Sequence, residues 1–88
     1  MSEAELRVAI LAALRRVAPE IDPTGLAPDR DLREAFDLDS MDILHFATEL
    51  HRAFAIDIPE RDYRQLTRLG SCLAYVAARS GAKGTGSV

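Results

Sequence analysis

Three stretches of this chain place apolar residues at every third or fourth position, and the first two are separated by a segment that regular structure cannot cross. Leu6, Ala9, Ile10, Ala13, Leu14 and Val17 form one such series, and Ile43, Phe46, Ala47, Leu50, Ala53 and Phe54 a second. Steps of three and four put each series on one face of an α-helix. The spacing predicts helices over about residues 3–17 and 40–54. A third series, Leu69, Cys72, Leu73 and Val76, predicts a last helix that fades at Ser80 and Gly81. Ser2 followed by Glu5 is a capping-box pattern, and Asp39 and Thr67 are placed to cap the second and last helices. Pro19, Pro23, Gly25 and Pro28 interrupt the chain between the first two series, leaving a long loop that ends at Asp39. Within it, Leu26, Leu32 and Phe36 are spaced to lie back on the core, and Asp31 is placed to cap a short turn over residues 32–36. Pro59 is suited to be the first residue of a short helix with Tyr63 and Leu66 inward. The expected fold is all-α: a small bundle of three main helices plus one short helix, with a long loop between the first two main helices.

A chain of 88 residues supports one core, and at this size it buries only about 60–65% of its unfolded surface. One domain is therefore expected over residues 1–80, followed by a flexible C-terminal tail over residues 81–88. Hydrophobic residues at 48% and charged ones at 28% describe a chain that folds rather than one that stays disordered. The expected core is Leu6, Ile10, Leu14, Phe36, Ile43, Phe46, Leu50, Phe54, Ile58, Tyr63, Leu66, Leu69, Leu73 and Val76. Cys72 is the one cysteine, so no internal disulfide forms. Its place on the last apolar stripe argues for packing, with a reactive thiol as the alternative. The longest apolar run, residues 8–14, falls far short of the ~20 residues that span a bilayer. A cytoplasmic monomer without a membrane span is expected.

The net charge of −3 is unevenly spread. Residues 31–60 carry eight acids against two bases, whereas residues 61–88 carry one acid against five bases. A nucleic-acid reader leaves a basic stripe near its reading element; here the basic excess is scattered over the last third, so nucleic acid is not an expected partner.

Three of the acids, Asp37, Asp39 and Asp42, surround Ser40 where the long loop meets the second main helix. On base rates such a serine is a helix cap or a first-turn residue. At roughly 100° per residue, Met41, Leu44, His45, Thr48 and Arg52 fall opposite the apolar stripe. Two large apolar side chains, Met41 and Leu44, are thus expected to face water beside Ser40, as a docking patch would.

Asp39-Ser40-Met41-Asp42 resembles the Asp-Ser-Leu-Asp/Glu motif of the acyl carrier protein family, with Met in the usual Leu position. The resemblance extends over about residues 6–76, through the long loop, Ala53-Phe54, the Ile58-Pro59 step and Leu73-Ala74-Tyr75-Val76. It implies that Ser40 receives 4′-phosphopantetheine covalently from coenzyme A, through a separate magnesium-dependent phosphopantetheinyl transferase. Acyl groups are then held as thioesters on the arm's thiol and shown to acyl-loading and acyl-processing enzymes of a fatty-acid, polyketide or other specialised pathway. By the same resemblance an acyl chain enters between the helices. Asp37, Asp39, Met41, Asp42, Leu44 and His45 are the expected partner-recognition residues. Many bacterial fatty-acid carriers meet basic patches on their enzymes with glutamates along this helix. This chain departs from that pattern: it offers His45, Thr48, His51 and Arg52, with Glu49 as the one acid between Ala47 and Ala53.

Other readings fit the residues less well. Ser40 lacks a Gly-x-Ser-x-Gly elbow, and His45 lies roughly 140° around the helix from it, so the two do not pair as nucleophile and base. Asp42, His45 and Glu49 share a helix face only in part, which is a weak metal motif. The acids near Ser40 lack the glycine and closing glutamate of an EF-hand loop. An unmodified helical interaction module stays open, as does an aminoacyl or peptidyl carrier, whose attachment serine tends to follow Gly-Gly-x.

Overall fold

The computed structural model describes residues 2–80; the tail expected over residues 81–88 lies outside the described residues. The element order is α1 (Glu3–Val17), α2 (Leu32–Phe36), α3 (Ser40–Phe54), a 3₁₀ helix (Glu60–Leu66) and α4 (Leu69–Arg79). The two long periodic stretches become α1 and α3. The short turn over residues 32–36 is a one-turn helix, α2, so a second short helix joins the one expected. Helix α1 begins with the capping box read from Ser2 and Glu5, whose reciprocal hydrogen bonds measure 2.8 and 3.1 Å.

Packing of α1 against α3 and of α4 against α1 and the 3₁₀ helix forms one core. Phe46, Ile10, Leu14, Leu32, Leu50, Leu66, Leu69, Val76 and Cys72 are completely enclosed. Burying each large side chain contributes about 1.5–3 kcal/mol. Five expected core residues, Phe36, Phe54, Ile58, Tyr63 and Leu73, are instead partly buried against the core's edge. They sit at helix ends or beside grooves, where only one side of the residue has a neighbour. Ile21, Leu38, Ile56 and Tyr75 are buried without having been expected. Tyr75 tolerates this because its hydroxyl donates to Asp62 Oδ2 at 2.7 Å, while Arg79 lies 4.2 Å from its ring centroid and also donates to Asp62.

The long loop is tied to the start of α4 by two backbone hydrogen bonds and one from a side chain. Gly70 N–H donates to the Pro28 carbonyl at 2.8 Å, Leu32 N–H to the Thr67 carbonyl at 2.7 Å, and Arg68 Nε–H to the Asp29 carbonyl at 3.1 Å. A Cβ on Gly70 would stand 3.3 Å from the Pro28 oxygen, a tight contact that a side chain here could keep only if the loop gave way by a few tenths of an ångström. The same contact corrects the expected cap of α4. Arg68, not Thr67, is the N-cap residue, and among the described residues no side chain caps the helix; the Pro28 carbonyl takes the Gly70 amide of its first turn. Thr67 Oγ1 donates backward to the Arg64 carbonyl. Pro59 likewise stands one residue before the 3₁₀ helix as its N-cap rather than as its first residue.

Ala55 closes α3 in the left-handed region at φ 55°, a conformation that costs a side-chain-bearing residue about 1 kcal/mol. Ala55→Gly is expected to raise the unfolding free energy by about 0.5–1 kcal/mol, read as a shift in urea midpoint at unchanged slope. Burial pushes the Cys72 thiol up to about 12, which removes the thiolate that reacts. Cys72 is therefore expected to resist a thiol reagent in native buffer and to react fully in denaturant; rapid native labelling would contradict its enclosure.

Candidate functional site

The site is built around the first turn of α3. Asp37 closes α2 in the left-handed region at φ 56°, where a short polar side chain is tolerated better than most. Leu38 then turns into the core, 8% exposed, and its burial anchors the acidic run on both sides of it. Asp39 caps α3: its carboxylate accepts from Asp42 N–H at 2.9 Å, while Asp42 Oδ2 accepts from Asp39 N–H at 3.1 Å. This reciprocal box gives two of the three acids around Ser40 a structural task. Carboxylates at this end of a helix are also favoured by its dipole.

Ser40 is consequently the first residue of α3 and is exposed. Among the described residues, no hydrogen bond engages its hydroxyl. Met41 and Leu44 face water, at 55% and 39% exposure, and His45 is exposed beside them. All six residues expected to recognise partners thus lie along the first two turns of α3 or just before it.

A groove of about 660 Å³ opens beside Ser40, between α3 and the 3₁₀ helix. Met41, Ile43, Leu44 and Tyr63 give it apolar walls, and Arg33 and Arg64 add guanidinium groups. Farther along α3, a second groove of about 440 Å³ is lined by Ala47, Thr48, His51, Ile58 and Tyr63. Tyr63 and Ile58, expected in the core, are thus groove walls. The groove beside Ser40 thus mixes apolar side chains with Asp31, Glu60, Arg33 and Arg64.

Two sets of contacts hold the second half of α3. His51 Nδ1 lies 2.6 Å from the Ile56 carbonyl oxygen; since a carbonyl only accepts, Nδ1 carries the proton and closes the end of the helix. Glu49 pairs with Arg16 of α1 at 3.5 Å and with Arg52 at 3.8 Å. Such surface pairs are worth about 0–1 kcal/mol each; their larger effect is on the charge of the face. The sequence carried no signal for the Arg16 contact, because it joins residues on different helices.

Comparison with known proteins identifies the family. The family model described as "Phosphopantetheine attachment site" matches residues 8–76. The chain therefore belongs to the phosphopantetheine-attachment family, that of the acyl carrier proteins, whose cofactor is 4′-phosphopantetheine. The acyl carrier protein of Rubrobacter xylanophilus is 29% identical over 56 residues, covering 64% of this chain and 69% of its own. The meromycolate extension acyl carrier protein of Mycolicibacterium smegmatis is 26% identical over 70 residues, covering 76% and 71%. The acyl carrier protein of Renibacterium salmoninarum is 28% identical over 74 residues, covering 78% and 89%. No solved structure matches the chain. Among the described residues, no helix is long and apolar enough to cross a membrane.

Asp39→Ala removes the cap and is expected to lower stability by about 0.5–2 kcal/mol in urea unfolding. Asp39→Asn, which keeps an acceptor, is expected to retain most of it.

Proposed function

We propose that this chain is a non-catalytic acyl carrier whose 4′-phosphopantetheine arm is attached at Ser40. The observation that carries the reading is the exposed Ser40 hydroxyl, unengaged among the described residues, on the first turn of α3 beside a groove. A carrier needs a hydroxyl that a separate enzyme reaches, and a helix start at the surface provides it. In the attachment step the Ser40 hydroxyl gives up its proton and the Oγ–P bond forms as the pyrophosphate bond of coenzyme A breaks, releasing adenosine 3′,5′-bisphosphate, within the transferase and with its magnesium. The arm supplies a terminal thiol that holds an acyl group as a thioester.

The chain's own residues hold the arm's root and present it. The Asp39–Asp42 box fixes the helix start, and the first-turn dipole favours the phosphodiester by about 0.3–1 kcal/mol. Asp37, Asp39 and Asp42, like-charged with the diester, direct the arm outward and offer a negative target to a basic transferase. Met41, Leu44 and His45 complete the face that partners read. The cargo is an acyl group of a fatty-acid, polyketide or related lipid pathway, in keeping with the meromycolate-extension names of several relatives. The carrier acts as a cytoplasmic monomer that visits acyl-loading and acyl-processing enzymes in turn. In this reading residues 1–80 form the carrier domain.

Incubation with a broad-specificity phosphopantetheinyl transferase, coenzyme A and magnesium is expected to add the mass of one phosphopantetheine, and Ser40→Ala to abolish the gain. A folded chain that gains nothing, including with the transferase of its own organism, would make the unmodified interaction module the better reading.

A further inference from the structure

Helix α3 carries opposite charge at its two ends, and the cause at the far end is tertiary. Glu49 lies between Arg16 and Arg52, and its side chain is only 21% exposed, whereas the arginines are 62% and 72% exposed. The one acid of this stretch is thus turned inward beneath two guanidinium groups that face solvent. The cluster presents a net positive charge. At the other end, Asp37, Asp39 and Asp42 surround Ser40. Met41, Leu44, Thr48 and Arg52 follow one another at three- and four-residue steps and are all exposed. They form a single ridge, about 18 Å from Ser40 to Arg52 at the helical rise.

We propose that this ridge is the docking face for a partner enzyme of split charge. The partner is basic where it meets the acids around Ser40, has a shallow apolar recess for Met41 and Leu44, and is acidic opposite Arg16 and Arg52. Charge complementarity selects this occupant. A uniformly basic enzyme surface would gain at the Ser40 end and be repelled at the other. A polyanion or an anionic membrane would meet three aspartates beside the apolar pair it has to approach. The inference rests on the carrier reading and adds the chemistry of the partner to it.

The test uses a bacterial fatty-acid β-ketoacyl synthase whose carrier-docking surface is lined with Arg and Lys. A second form of it carries Glu in place of those basic residues that lie farthest from the active-site mouth. The native chain and Arg16→Glu/Arg52→Glu are first loaded with phosphopantetheine and checked by intact mass. The dissociation constant of each for both synthase forms is then measured at low salt. The native chain is expected to bind the Glu-bearing form about tenfold more tightly than the basic form, and the double variant to reverse that preference. The milder Arg52→Gln, which leaves Arg16 on Glu49, is expected to fall between them, and added salt to compress all the differences. Preferences equal within about twofold for both carriers would overturn the inference while leaving the carrier reading intact. A native chain that takes no arm would overturn both.

Discussion

The two hydrogen bonds exchanged between Asp39 and Asp42 set where α3 begins, and the rest of the site takes its register from that start. A helix begun one residue later would keep the angular order of its side chains but lose its first residue. Ser40 would then stand outside the first turn. The core enforces the same register from the other side, because Ile43, Phe46, Ala47 and Leu50 are buried together. Cap and core agree, as they do in sequences whose local and global preferences point to one structure.

This arrangement separates stability from recognition within one helix. The inward face holds α1 against α3, while the outward face keeps Met41, Leu44 and Arg52 in water at some cost in apolar exposure. Neither task constrains the other's residues. The acids around Ser40 are the exception, since Asp39 and Asp42 serve the helix start and also set the local charge. Asp37 adds a third role by taking the left-handed turn that ends α2.

Much of this was legible in the residues themselves. The periodic stretches fixed α1 and α3, and Ser2, Asp31 and Asp39 marked helix starts because a cap is a local hydrogen bond between near neighbours. The exposure of Met41 and Leu44 followed from helical geometry alone. What could not be read depends on distant partners. Thr67 has the right chemistry for a cap, but the Pro28 carbonyl reaches the start of α4 first, from a loop some forty residues earlier. Phe54 and Ile58 have the right hydrophobicity for a core, but among the described residues they are only partly buried. Tyr75 is buried because Asp62 receives its hydroxyl, a pairing made only when the 3₁₀ helix packs on α4.

The sequence by itself determined the elements, the caps of α1, α2 and α3 and the exposed serine among acids, because periodicity and capping act within one or two turns. Tertiary structure decided the course of the long loop, the groove along α3 and the sign of charge at that helix's far end. Each of these needs two segments brought side by side: Gly70 against Pro28, Tyr63 against α3, and Arg16 over Glu49. Contacts of that kind carry no local signature, since their energy comes from surfaces that meet only once the chain has folded.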